Sequence, residues 1–279
     1  MSDAPLGVFD SGLGGLTVVR ALRSRLPRER IVYLGDTARV PYGTRSSDTV
    51  LRYARGCAGV LMKRRVKALV IACNTASAVA VDMLRAELDL PVVGVIEPGA
   101  RAAVALANLA EKEGRAGAGR IGVLGTPRTI ASGAYARAVA ALSTRHEVIG
   151  QAAPLLVPLV EEGWLDGDVP RLAVERYLRP LIDANVSVIV LGCTHYPVLK
   201  DVIARVAADM AGHDVAIVDS GEVVAQTVAA LLDERALVSH AAAAVPPLEL
   251  VVTDLTASFS QMAERCLGAA APNVEEIDL

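Results

Sequence analysis

Aromatic residues are scarce in this 279-residue chain: one Trp, two Phe and six Tyr, although hydrophobic residues make up 53% of it. A core must therefore be assembled from Ala, Val, Leu and Ile, which suits parallel strands covered by helices on both faces. Lysine is equally rare. Lys63, Lys67, Lys112 and Lys200 are the full set, and none falls at a predicted strand end, where the Schiff-base lysine of a pyridoxal phosphate enzyme would be sought. The four cysteines, Cys57, Cys73, Cys193 and Cys266, lie far apart without Cys-x-x-Cys spacing, which argues against a secreted disulfide framework. No apolar run approaches the ~18 residues of a membrane span. Met1 to Pro5 leads into the first predicted strand without a basic-then-apolar leader. The net charge is −3, so there is no basic excess to attract nucleic acid. The arginine-rich stretch Arg20–Arg30 reads as the solvated face of a helix and its exit loop. The expectation is a soluble cytoplasmic protein with a small-molecule ligand and neither membrane nor nucleic-acid partners.

Strand-like and helix-like patterns alternate along the chain. Strands are predicted at 7–9, 31–34, 68–72, 92–95, 120–124, 147–151, 186–191, 215–218 and 248–252, and helices at 16–25, 46–64, 76–87, 99–113, 129–142, 169–184, 197–210 and 221–232, with a further terminal helix. Such alternation predicts βαβ crossovers, an α/β fold and mainly parallel sheets. The order of features repeats. Gly7-Val8-Phe9-Asp10-Ser11-Gly12, Val40-Pro41, Cys73-Asn74-Thr75 and Val95-Ile96-Glu97-Pro98 are echoed by Gly122-Val123-Leu124-Gly125-Thr126-Pro127, Val157-Pro158, Cys193-Thr194-His195 and Val218-Asp219-Ser220. The interval Val8 to Cys73 is 65 positions and Val123 to Cys193 is 70. This spacing predicts two pseudo-symmetric, doubly wound lobes: 1–98 completed by 216–279, and 99–215, with an active site in the cleft between them. The run Gly114–Gly119 is predicted to be a surface loop.

Two segments stand out, Ile71-Ala72-Cys73-Asn74-Thr75-Ala76-Ser77 and Leu191-Gly192-Cys193-Thr194-His195-Tyr196-Pro197. Each sets a cysteine at the carboxyl end of a strand, where open α/β sheets bind ligands. A thiol there sits near the next helix's amino terminus, whose N–H groups favour the thiolate. Two such thiols suit a reaction needing a proton carrier on each face of one carbon, such as inversion of a stereocentre. Cys57 and Cys266 read as core residues. Zinc held by Cys73, Cys193 and His195 is the main rival reading, but no fourth ligand is dictated; a redox pair is a second. His146, His213 and His240 carry no signal.

Asp10-Ser11-Gly12-Leu13-Gly14-Gly15 fails the dinucleotide fingerprint at position 17, which is Thr, and fails the P-loop pattern too. It remains a tight turn offering N–H groups at a helix start, suited to a carboxylate. Asp10 caps that helix, holds a substrate amino group or tunes a thiol. Pro41-Tyr42-Gly43 reads as a turn whose Tyr42 and Gly43 amides can receive an anion. In the second half Glu161, in preference to Glu162, is the candidate inward carboxylate, and His195 is placed to bind substrate or tune the thiols.

These motifs, in order over about residues 6–232, resemble the aspartate/glutamate racemase family and its glutamate racemases in particular. The resemblance implies a cofactor-independent, metal-free homodimer that interconverts L- and D-glutamate and supplies D-glutamate for peptidoglycan. It implies that Cys73 removes the α-proton from D-glutamate and Cys193 from L-glutamate. Asp10, His195 and Glu161 are implied as their assistants, and Asp10, Ser11, Tyr42, Gly43, Asn74, Thr75, Thr194 and His195 as substrate contacts. Two readings stand beside it: an aspartate racemase, differing in pocket depth, and a non-catalytic amino-acid-binding protein.

Overall fold

The computed structural model describes residues 2–115, 117–240, 248–257 and 259–279. Met1, Ala116 of the 114–119 run, residues 241–247 of the tail and Ser258 therefore lie outside the described residues. The chain divides into two compact units, Met1–Val95 with Val224–Leu279, and Ile96–Val223.

The first unit opens with β1 (Leu6–Asp10), α1 (Leu16–Arg25), β2 (Ile31–Gly35), α2 (Ser47–Lys63), β3 (Ala68–Ile71), α3 (Asn74–Glu87) and β4 (Val92–Gly94). Its strands β1, β2 and β3 are buried along their whole length, the pattern of central parallel strands covered on both faces. β1 pairs in parallel with β2 (Leu6 opposite Ile31) and with β3 (Leu6 opposite Ala68). Ser46 starts α2 by accepting the Thr49 N–H on its hydroxyl at 3.3 Å.

The second unit runs α4 (Ile96–Lys112), β5 (Arg120–Gly125), α5 (Pro127–Ala131), α6 (Ala134–Leu142), β6 (Glu147–Ala152), α7 (Leu156–Glu161), α8 (Asp168–Asp183), β7 (Val188–Gly192), α9 (Lys200–Ala211) and β8 (Ala216–Asp219). Its parallel sheet has the order β6-β5-β7-β8. Helices α4 and α6 pack together, as do α8 and α9. Next comes α10 (Ser220–Glu234), within which the division between units falls, and then β9 (Leu248–Val252), α11 (Phe259–Leu267) and β10 (Val274–Glu276). The last three join the first unit: its six-stranded parallel sheet has the order β10-β9-β2-β1-β3-β4, with α1 against α11 and α2 against α3. The shared suborder β2-β1-β3-β4 and β6-β5-β7-β8 is the topological form of the sequence repeat.

Several expectations are corrected. Strand β8 pairs with β7 (Val188 opposite Ala216), so residues 216–219 belong to the second sheet rather than completing the first. The helix expected at 129–142 is two helices, because Gly133 adopts a left-handed backbone (φ 63°) and the Ser132 hydroxyl captures the Thr129 carbonyl at 2.6 Å and the Ala134 N–H at 3.2 Å. The helix expected from 197 starts at Lys200, after a 3-10 turn over Tyr196–Leu199. Strand β10 was not expected: three residues carrying two exposed glutamates have no strand signature. No helix among the described residues is long and apolar enough to cross a membrane.

One buried ion pair ties four separate stretches of the first unit together. Lys67 Nζ lies 2.5 Å from Glu29 Oε2, and both side chains are 2% exposed. The ammonium also donates to the carbonyls of Ser2 (2.5 Å) and Leu237 (2.7 Å), while Glu29 Oε1 accepts the Ser239 N–H at 2.8 Å. Removing one member strands the other charge, at a cost of about 3–5 kcal/mol. Lys67→Met is therefore expected to lower the urea midpoint strongly, and Glu29→Gln/Lys67→Met to recover part of the loss. An unchanged midpoint in the single variant would remove the pair from the stability argument.

Candidate active site

In the order β2-β1-β3-β4 the chain leaves β1 to one side and returns to β3 on the other. The carboxyl ends of β1 and β3 therefore flank the switch point, where helices diverge and open sheets form their ligand crevice. Asp10 ends β1 and Cys73 follows β3. The Asp10 side chain is fully buried, and its Oδ2 accepts the N–H groups of Gly12 (3.1 Å) and Gly15 (3.0 Å), folding the glycine-rich turn around one carboxylate oxygen. The Tyr33 hydroxyl holds the same turn from below through the Gly12 carbonyl at 2.7 Å. A Cβ at position 15 would stand 2.5 Å from the Asp10 Cβ, so glycine is required there by close approach.

Cys73 caps α3: its Sγ accepts the Ala76 N–H at 3.4 Å, and its thiol donates to Ser11 Oγ at 3.6 Å. The predicted helix-start geometry is present at this residue, but its predicted consequence is not. Burial pushes the thiol up, the Asp10 carboxylate pushes it further, and the opposing contacts from Ala76 and Ser11 leave it at about 12. Cys73 is thus held as the neutral thiol. Asn74 and Thr75, the first residues of α3, are buried beside it. Ser77 Oγ fixes that helix start by donating to Ile71 O (2.9 Å) and accepting the Val95 N–H (3.2 Å).

Pro41-Tyr42-Gly43 follows β2, with a cis peptide before Pro41 and a 3-10 turn over Tyr42–Thr44. The Tyr42 ring points into the core: its hydroxyl donates to Asp36 Oδ2 and lies 3.8 Å from Cys57 Sγ. Only the backbone of Tyr42 is left to serve as the predicted anion contact. Cys57 and Cys266 are fully buried, as their sequence patterns implied.

The second unit repeats the switch point between β5 and β7. Cys193 follows β7, but a 3-10 turn separates it from α9, so it does not sit at the start of an α-helix as expected. Its partner is an imidazole instead. His195 Nδ1 lies 3.9 Å from Cys193 Sγ, and Nε2 lies 3.2 Å from Oε1 of Glu161, the last residue of α7. Burial alone would push the imidazole down. The hydrogen bonds and charges of Cys193 and Glu161 outweigh it and raise His195 to about 10. The favoured state is an imidazolium donating from both nitrogens. Thr194 is buried within the same turn, which is pinned by the Tyr196 hydroxyl on the Ala153 carbonyl at 2.8 Å and by Ser220 Oγ on the Leu191 carbonyl at 2.8 Å. Glu161, rather than Glu162, is the glutamate that reaches the histidine.

The structure thus gathers Asp10, Ser11, Cys73, Asn74 and Thr75 at one switch point, and Cys193, Thr194, His195 and Glu161 at the other. Sequence reasoning missed Asp36. It is fully buried and takes contacts from Arg39, Tyr42 and Thr253. Its one visible signal was a carboxylate directly after a buried strand, the placement that singled out Asp10. Among the described residues no cluster of three or more His, Cys, Asp or Glu side chains is arranged to hold a metal ion.

The chain is similar to known proteins over nearly its whole length. The family profile of Asp/Glu/Hydantoin racemase matches residues 16–228. A glutamate racemase from Syntrophus aciditrophicus is 48% identical over 99% of this chain and 97% of its own length. Among solved structures, glutamate racemase from Francisella tularensis, crystallised with D-glutamate, superposes with a TM-score of 0.89 at 35% identity, covering 100% of this chain and 98% of that one. A glutamate racemase isoform from Bacillus anthracis gives 0.90 at 36% identity, covering 100% and 99%. By the family profile and by near full-length identity, the chain belongs to the Asp/Glu/Hydantoin racemase family.

Proposed function

We propose that this chain racemises glutamate without a cofactor, with Cys73 and Cys193 as the two proton carriers. The observation that carries the reading is that each switch point holds one buried cysteine with a different set of partners: Ser11 and the start of α3 at Cys73, and the His195–Glu161 pair at Cys193. A two-base racemase needs one carrier deprotonated and the other protonated before each turnover. Cys73 is buried beside Asp10 and kept protonated, whereas Cys193 Sγ lies 3.9 Å from the His195 imidazole, whose own proton affinity is raised. In this scheme Cys193 takes the α-proton from L-glutamate and Cys73 delivers one to the opposite face. Reversal returns the proton in the other direction, and Asp10 and His195 with Glu161 assist their respective sulfurs.

The α-proton of an amino acid is weakly acidic, so charge developing at the α-carbon and its carboxylate needs fixed donors. Asn74, Thr75 and Thr194 are assigned that work. Ser11 and the Tyr42 and Gly43 amides take the side-chain carboxylate. The kinship with glutamate racemases over nearly the full length supports glutamate as substrate, and with it a supply of D-glutamate to peptidoglycan, a cytoplasmic location and a homodimeric state.

The test is to incubate purified protein with L-glutamate and chelator, without added cofactor, and follow circular dichroism, with L-aspartate in parallel. Decay to zero with glutamate alone is expected. Decay with aspartate alone would transfer the reading to aspartate racemisation, and tight binding without decay would make the protein a receptor. Cys73→Ser and Cys193→Ser are each expected to slow racemisation at least ~100-fold, the scale of a lost acid–base group. Full activity in either variant would end the two-thiol scheme. In D2O the newly formed enantiomer should carry solvent deuterium while early recovered substrate keeps protium.

The imidazolium also sets a pH limit. His195 is raised, so its charge is complete at low pH and is lost as pH climbs through about 10. Glu161→Gln removes one of the charges that raise it, and the basic limb of kcat/KM for L-glutamate should move to lower pH. A limb that stays in place would separate Glu161 from Cys193 chemistry.

A further inference from the structure

Asp36 has no place in the proton-transfer scheme, yet its carboxylate is contacted by the side chains of Arg39, Tyr42 and Thr253. It stands directly after β2, fully buried, and its N–H donates to the Asp10 carbonyl at 3.1 Å. Arg39 Nε donates to both of its oxygens, at 2.9 and 2.8 Å. The Tyr42 hydroxyl donates to Oδ2, and the Thr253 hydroxyl donates to Oδ1 at 3.0 Å. Every contact made by the side chain is that of an acceptor, which a carboxylate satisfies with both oxygens and an amide with one.

These contacts close on the segment bearing Tyr42 and Gly43. The Tyr42 ring is buried (1% exposed) against Tyr53, centroid to centroid 5.4 Å, and the Arg39 guanidinium lies 4.4 Å over the Tyr53 ring. The far side of the network belongs to the end of the chain. Thr253, just past β9, accepts the Ala38 N–H at 2.9 Å. Thr37 Oγ1 donates to the Asp254 carbonyl at 2.6 Å and accepts the Asp254 N–H at 2.8 Å. The loop between β2 and α2 is thus held from inside by one carboxylate and from outside by the strand paired with β2.

We propose that Asp36 is a positioning residue: through the Tyr42 hydroxyl, and braced by Arg39 and Thr253, it fixes the Tyr42 and Gly43 amides that receive the side-chain carboxylate of the substrate. This rests on the reading of those amides given above. An amide pair aimed by a buried side chain keeps its direction without spending binding energy on ordering the loop. A contact made equally in ground and transition states acts on KM rather than kcat.

The variants are Asp36→Asn, Tyr42→Phe and their combination, with kcat and KM for L-glutamate read by circular dichroism. Kd for D-glutamate is read by calorimetry in a Cys73→Ser/Cys193→Ser background, where no turnover interferes. Each single variant should raise KM and Kd about tenfold or more while kcat stays within about threefold, the signature of lost uniform binding. The combination should match Asp36→Asn alone to within about twofold, because both changes break one contact. Parental KM and Kd in either variant, or a loss confined to kcat, would overturn the assignment. If Asp36→Asn does not fold, Tyr42→Phe decides by the same two constants. A parent protein that binds glutamate without racemising it refutes the proposed function, and the Kd series still judges Asp36. A parent that does not bind glutamate refutes both.

Discussion

A parallel sheet whose chain winds outward in both directions from a central pair of strands leaves one place where helices cannot cover its carboxyl edge. Both units of this protein share the suborder that creates such a place, and the rest of the chemistry is arranged around it. The strands ending there are buried throughout, so the residues just beyond them must satisfy exposed backbone donors as well as carry function. In the first unit one carboxylate and one thiol take up those donors: Asp10 folds the turn after β1 and Cys73 caps α3. Structural and chemical duties fall on the same side chains, which is why the sites are compact.

The two thiols have different electrostatic neighbours. Around Cys73 the desolvation of a buried sulfur and the nearby Asp10 carboxylate defeat the N–H contacts at the helix start. A helix terminus is a weak stabiliser, typically under ~1 kcal/mol unless favourably buried, and cannot offset a carboxylate at close range. Around Cys193 a 3-10 turn displaces the helix and the neighbour is His195, whose proton affinity is raised by its contacts to Cys193 and Glu161 against the effect of burial. Glu161 is 48% exposed on its side chain, so its share is partly screened, whereas His195 is 9% exposed and feels the sulfur directly.

The strand-end cysteines were legible because a buried apolar run followed at once by Cys and small polar residues has few structural explanations. Alternating strand and helix patterns likewise gave most of the elements and the parallel sheets. What the sequence could not reveal depended on partners distant in the chain. Asp36 is defined by Thr253, more than 200 positions away, and Lys67 by Ser2, Glu29 and Leu237. The direction of the Cys73 shift was misjudged because spacing conveys proximity to a helix start but not depth of burial. The break at Gly133 was hidden because a single Gly within an Ala-rich helical pattern is a tolerated residue as often as a boundary.

The two repeats differ where their sheets end. In the first unit β9 covers β2, so β2 is not an edge strand, and its following loop is stapled to Thr253 and Asp254. In the second unit β6 is the sheet edge, half-exposed along most of its length, and the chain passes from it directly into α7 and Glu161. On the proposed reading the braced loop holds a fixed substrate charge, which demands a rigid, fully buried support. The loop after β6, held by the Tyr196 hydroxyl on the Ala153 carbonyl, leads to a carboxylate facing a histidine that must change its proton affinity as the sulfur beside it gains and loses charge. A buried carboxylate in that second position would hold the imidazolium too firmly to follow the thiol. Partial exposure of Glu161, 48% on its side chain, tempers the attraction.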